Sequence, residues 1–251
     1  SRKNGAPAVR KDSHRRKQLT RGPALLCKSL EDWLSPECKS HRALLVSRPP
    51  SWTDFQVHVD KMAKSGAFEK DFGVWGEVGK EVRVYRDKKK FLACLRQKAK
   101  HLVGILKRHG FPCDICEQVQ LDYQKIATTL LSLVPRAKSL ELKLGVVGED
   151  SCCRWHRDYY TGRAIVTYNS CGTKYLDHAH VDFWELENCG RNKCILREGA
   201  RVFRAKPGDI MFMKGVMYPS RMNGLVHSAP GRRRHSDGSI KNRLIIKVDL
   251  P

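Results

Sequence analysis

Cys153-Arg-Trp-His-Arg-Asp-Tyr159 sits between Ser139-Leu-Glu-Leu-Lys-Leu-Gly-Val-Val147 and Arg163-Ala-Ile-Val-Thr-Tyr-Asn169, and these three stretches decide the reading of the fold. The outer two alternate or run apolar over six to nine residues, which is strand patterning. The central one carries His156 and Asp158 two positions apart. On an extended chain such residues point to one face. His227, from a later segment folding back beside them, would complete two imidazoles and one carboxylate. That donor set is the facial triad of non-haem Fe(II) oxygenases and leaves coordination positions open.

The bare string is not distinctive, because His58-Val-Asp60, His180-Val-Asp182 and His235-Ser-Asp237 repeat it. His58 falls in a helix-like stretch, residues 55–68, where i and i+2 diverge. His235 lies in a basic, Gly-containing loop. His180/Asp182 is the rival, inside Asp177-His-Ala-His-Val-Asp182 and upstream of His227. His156/Asp158 is preferred for its two flanking strands, and the plain alternative, that none of these residues binds metal, stays open.

Working outward, short apolar runs at 174–176, 195–196, 201–205, 210–213, 225–228 and 243–250 read as further strands, with a turn at Lys206-Pro-Gly-Asp209. Residues 86–109 and 119–133 carry apolar positions at helical spacing, stopped by Gly110/Pro112 and Pro135. Ser51 or Thr53 is placed to cap a helix. The expected fold is α+β: N-terminal helices packed on a C-terminal double-stranded β-helix, or jelly roll. The division is a basic disordered arm over residues 1–22, a supporting helical region over 23–137, and a metal-binding jelly-roll core over 138–251.

Forty-eight Lys and Arg against 26 Asp and Glu give a net charge of +22. The excess suits an anionic partner, nucleic acid included. Part of it is local, since residues 1–22 hold eight Lys or Arg and one acid. That arm reads equally as a linker or a targeting leader; the expected compartment is intracellular, with an organelle such as a plastid among the candidates. No apolar run reaches the ~18 residues of a membrane span. Ten cysteines without a secretory signal do not suggest a disulfide framework. Cys113-x-x-Cys116 and Cys189-x4-Cys194 raise zinc, but their spacings differ. Cys113 and Cys116 also suit the start of a helix.

Arg243 could pair bidentately with the far carboxylate of a 2-oxoacid chelated to the metal; its other reading is a surface residue near Lys241 and Lys247. Thr167 or Tyr168 could add a hydroxyl. Arg163 reaches the co-substrate if its face, shared with Ile165 and Thr167, lines the barrel. Trp155, Tyr159 and Tyr160 suit an aromatic wall or simple packing. Lys206, Lys214, Arg221 and Arg232-Arg-Arg234 are candidates for a basic rim.

The ordered set Cys153-Arg-Trp-His-Arg-Asp158, Arg163, Thr167-Tyr168, Gly172-Thr173, Pro207-Gly-Asp209, Lys214-Gly215, Gly224-Leu-Val-His227, Pro230 and Arg243-Leu-Ile-Ile resembles the family called domain of unknown function 1826. That pattern is in turn similar to Fe(II)/2-oxoglutarate dioxygenases. The resemblance implies iron ligands at His156, Asp158 and His227, and a 2-oxoglutarate arginine at Arg243. Ile245 stands where many such enzymes place Ser or Thr, so the hydroxyl partner must come from another strand. The implied activity is O2-dependent hydroxylation, demethylation or desaturation of an organic, anionic substrate, such as a small metabolite or plastid pigment. The alternatives are an oxygenase acting on nucleic acid and a non-catalytic basic jelly-roll module binding nucleic acid.

Overall fold

The computed structural model describes residues 19–48, 55–64, 77–148, 152–220 and 223–251. Most of the basic arm, the proposed caps Ser51 and Thr53, and Arg221 lie outside these residues.

One large sheet organises the fold. Its eight strands are β1 (Thr20–Arg21), β2 (Ala24–Cys27), β3 (Ala43–Val46), β4 (Glu77–Arg83), β5 (Ser139–Val147), β6 (Gly162–Thr167), β9 (Ile210–Lys214) and β11 (Arg243–Leu250), in the order β1-β2-β3-β9-β6-β11-β5-β4. Among the described strands only the β2–β3 pair is parallel. A smaller sheet joins Lys174–Leu176 (β7), Val202–Arg204 (β8) and His227–Ser228 (β10), in the order β10-β7-β8. Tyr175, Ala205 and Leu225 meet Leu45, Ile165, Met211 and Met213 of the large sheet in one apolar cluster, so the sheets pack face to face. Among the described residues no backbone ladder closes them into a barrel.

The other face of the large sheet is covered by α1 (Gln56–Lys64), α2 (Lys88–Arg108) and α3 (Cys113–Leu133). Asp87 caps α2 by accepting from the backbone of Lys89 and Lys90. Phe91, Leu95, Ala99, Leu102 and Leu106 form its buried stripe. They pack, with Ile115, Val119, Tyr123, Ile126 and Leu130 of α3, on Leu140, Leu142, Leu144, Ala164, Val166, Phe212, Leu244, Ile246 and Val248. Each of these strand positions alternates with one facing the smaller sheet.

The clean split between a helical N-terminal region and a β-rich C-terminal core needs correction. Four strands, β1 to β4, come from before residue 84 and form both edges of the large sheet. β1 to β3 run only two to four residues, β4 is mostly polar, and the sheet they complete is non-local, so local periodicity gave no sign of them. Two expected strands also fail. Residues 192–195 are helical (α5, Asn192–Ile195), following α4 (Phe183–Asn188). The stretch around His156 forms only an isolated bridge, to His227.

Candidate metal centre

That bridge builds the site. His156 and His227 exchange both backbone hydrogen bonds, at 3.0 and 2.9 Å. Directly opposed residues in an antiparallel pair project side chains to the same face, and the two imidazole centroids lie 4.4 Å apart. Each Nδ1 is committed to a carbonyl, His156 donating to Arg154 at 2.8 Å and His227 to Leu225 at 3.0 Å. A carbonyl can only accept, so each Nδ1 carries the proton and each Nε2 presents a lone pair.

Both lone pairs face Asp158. His156 Nε2 is 3.7 Å from its Oδ1, and His227 Nε2 is 3.5 Å from its Oδ2. Oδ2 is buried and makes no hydrogen bond among the described residues, although Arg163 Nη1 stands 3.0 Å away as an ion-pair partner. Burial alone would raise the Asp158 carboxyl, but His227, Arg163 and His156 outweigh it and keep the pKa below its ordinary value. Burial pushes His227 down to about 4, against the pull of Asp158. At neutral pH the donors are thus a carboxylate and a neutral imidazole, the forms a divalent metal requires. The three side chains can bring donor atoms within 4.8 Å of one another, a potential site of two histidines and one carboxylate.

Two neighbours hold Asp158 in place. Arg163 pairs with Asp249 through Nε at 2.6 Å and Nη2 at 3.0 Å, and reaches Asp158 with Nη1. Asp249 is its direct cross-strand partner on β11. Gly215 donates its N–H to Thr161 and packs against the loop behind Asp158. A Cβ there would stand 1.8 Å from the Tyr160 carbonyl oxygen, so only glycine permits this approach.

A cavity of about 280 Å³ opens from the triad between the sheets. It is lined by His156, His227, Arg163, Arg243, Lys247 and Glu77, with Ile165, Val147, Met213, Ile245 and Thr173 among the others. Arg243 is buried rather than on the surface, and its Nη1 donates to the Cys171 carbonyl at 3.4 Å. Lys247 pairs with Glu77.

Other candidates fall elsewhere. Tyr168 points into the helical layer, where its hydroxyl donates to Asp122 at 2.6 Å. Thr167 shares the face of Arg163 and Ile165 by strand alternation but does not line the cavity. The hydroxyl that does is Thr173, just before β7. The sequence reading placed it only inside a matching Gly-Thr pair. Arg163 lines the cavity, with its guanidinium engaged by the carboxylates of Asp249 and Asp158.

The rival string is placed otherwise, and no donor cluster joins it to His227 among the described residues. Asp182 accepts from the Glu185 N–H to cap α4, and His180 lies in the 3-10 turn His178–His180. His235 pairs with Asp60, drawing two of the four strings together without building a centre. Trp155 is buried on the outer side of the smaller sheet, and Tyr159 is exposed, so neither walls the cavity. Lys214 is no rim residue: it is buried and donates to the carbonyls of Cys38 and Lys39 at 2.8 and 2.9 Å. Arg232, Arg233 and Arg234 are exposed, away from the cavity lining.

Fold and site together define a mixed α+β protein with a potential metal centre of two histidines and one carboxylate beside a cavity. The chain belongs to the family described as Protein of unknown function (DUF1826), whose model matches residues 29–249. The match starts well before the stretch from Cys153 that carried the resemblance, in keeping with the structural role of the early strands. No curated protein matches the chain. Among solved structures, it is similar to the Arabidopsis thaliana dioxygenase for auxin oxidation 1 in binary complex with 2-oxoglutarate, at 8% identity, 92% coverage of each chain and a TM-score of 0.49. The Fe(II)/α-ketoglutarate-dependent dioxygenase TqaL gives 8% identity, 88% and 84% coverage, and a TM-score of 0.42. A Pseudomonas putida prolyl-4-hydroxylase gives 10% identity, 88% and 95% coverage, and a TM-score of 0.35.

Proposed function

We propose that the protein is an Fe(II)/2-oxoglutarate-dependent oxygenase, its two sheets the layers of a double-stranded β-helix. The carrying observation is the convergence of two Nε2 lone pairs on one buried carboxylate, His227 at 3.5 Å from Asp158 Oδ2 and His156 at 3.7 Å from Oδ1, with Oδ2 making no hydrogen bond among the described residues. Arg163 supplies charge to that oxygen, and a metal ion would use the three donors together. His156, Asp158 and His227 would hold the ferrous ion. Bound there with 2-oxoglutarate, iron supplies the activation of O2 that oxidises a C–H bond.

The chain's own groups do the rest. Arg163 orients the carboxylate ligand. Arg243, a buried cation on the cavity wall, pairs with the distal carboxylate of 2-oxoglutarate, and Thr173 adds a hydroxyl from another strand. The apolar lining from Ile165, Val147 and Met213 limits water. A volume of about 280 Å³ suits 2-oxoglutarate and a small organic group. The net charge of +22 favours an acidic substrate such as a small metabolite.

The test needs no knowledge of the substrate. The protein with Fe(II) and 2-oxoglutarate should release succinate through uncoupled turnover. His227→Ala should lose metal and activity together. Arg243→Ala should keep metal and weaken 2-oxoglutarate binding by at least about tenfold, the loss of a charge-assisted pair. If both variants behave as the parent does, the reading is wrong.

A further inference from the structure

A second donor cluster lies outside this cavity. α4 runs to Asn188, and Glu185 sits four residues before Cys189, so the two share one side of the chain as the helix ends. Gly190, at φ +73°, then reverses the backbone. The short helix α5 returns Cys194 to the same place. Donor atoms of Glu185, Cys189 and Cys194 all come within 4.8 Å of one another. Two sulfurs on a tetrahedral zinc, at Zn–S distances of about 2.3 Å, are roughly 3.8 Å apart, so the cluster needs to close by about 1 Å at most.

We propose that Glu185, Cys189 and Cys194 form a second metal site, for a thiophilic divalent cation of the zinc class.

Two observations support it. Glu185 Oε2 is buried and has no hydrogen-bond partner among the described residues. Both cysteines are free thiols, Cys189 exposed and Cys194 half-buried, so a cation has access. A disulfide between the cysteines would leave the Glu185 oxygen unsatisfied, whereas a metal uses all three donors.

The place gives the site a purpose. Leu186 and Ile195 of this hairpin pack with Trp155 and Val226 behind the smaller sheet. Asn192 accepts from the Trp155 N–H at 2.9 Å and donates to the Cys153 carbonyl at 2.7 Å. Arg154 donates to the Leu186 carbonyl at 3.3 Å. A cation closing the hairpin would fix the segment that presents His156.

Cobalt(II) tests this on the full, reduced chain, because thiolate-to-cobalt charge transfer arises only where sulfur is a ligand. One equivalent should produce that absorption, and zinc should displace it. Cys189→Ser and Cys194→Ser should each abolish the band. Glu185→Gln should weaken cobalt binding at least about tenfold, since even outer partners of a metal contribute that much. His227→Ala should leave the band intact, which separates this site from the proposed iron centre. Absence of the band in the parent, its survival in Cys189→Ser, or unchanged affinity in Glu185→Gln would overturn the proposal. A Cys189–Cys194 disulfide whose reduced form takes no cobalt would overturn it in favour of a redox pair.

Discussion

The two faces of β11 are built from opposite chemistry. Leu244, Ile246, Val248 and Leu250 enter the helical layer and are essentially inaccessible. Arg243, Ile245, Lys247 and Asp249 take the alternate positions, and the first three line the cavity. The apolar face stabilises through burial, at about 25 cal/mol per Å². The charged face carries the cost of desolvation and survives because its charges are paired: Asp249 with Arg163 and Lys143, and Lys247 with Glu77. One layer supplies the stability that the other uses to hold a reactive arrangement.

This contrast can be broken most severely on the charged face. Arg163→Met should destabilise by about 3–5 kcal/mol, because it strips buried Asp249 of its two-point partner. It should also weaken metal binding by about 10–100-fold through the loosened Asp158. Chemical denaturation and Fe(II) titration read the two effects, and intact metal affinity would refute the orienting role. On the apolar face, Leu244→Ala should cost about 2–5 kcal/mol. Metal affinity measured below the unfolding transition should not change, so a loss there would mean the two faces are not separable.

A smaller effect sharpens the comparison within the hydroxyls. Thr173→Val should weaken 2-oxoglutarate binding by about 1 kcal/mol, roughly fivefold, with metal retained. Tyr168→Phe should leave that affinity unchanged and cost about 1 kcal/mol of stability through Asp122. Titration calorimetry on the metal-loaded protein distinguishes them, and the opposite result would place the co-substrate on the wrong side of the sheet. The smallest effect concerns pH. Burial pushes His178 down to about 4, helped by Arg42 and Arg157 and opposed by Gly224 and Asp177. An unfolded histidine titrates near 6.5, so below about 6.5 the unfolded chain binds a proton that the folded chain refuses. Stability from this group is present above pH 6.5 and is lost as pH falls towards 4. Urea midpoints at pH 7 and pH 5 should therefore differ less in His178→Asn than in the parent.

The candidate ligands could be read from the chain because they rest on short-range rules. Two residues on an extended segment share a face, and the strings at His58 and His235 could be discounted by local context. Strand alternation also put Arg163, Ile165 and Thr167 on one face and Tyr168 on the other, which already separated the two hydroxyl candidates once the helical side was known. The edge strands before residue 84 were not readable: β1 to β3 run two to four residues and exist only by virtue of the neighbours they pair with, and β4 is a mostly polar run, Glu77–Arg83. Thr173 was missed for the same reason: nothing near it in sequence signals a cavity wall.

The sequence by itself determined the alternation of β5, β6 and β11, the helical stripes of α2 and α3, and the set of residues able to bind a metal. Tertiary structure alone decided which of them meet. The His156–His227 bridge spans 71 residues of chain. Asp182 was drawn to a helix cap, and Arg163 was drawn to Asp249 across a strand pair. Side-chain direction follows from local backbone geometry, but convergence depends on which distant segments share hydrogen bonds, and that is settled only when the sheets assemble.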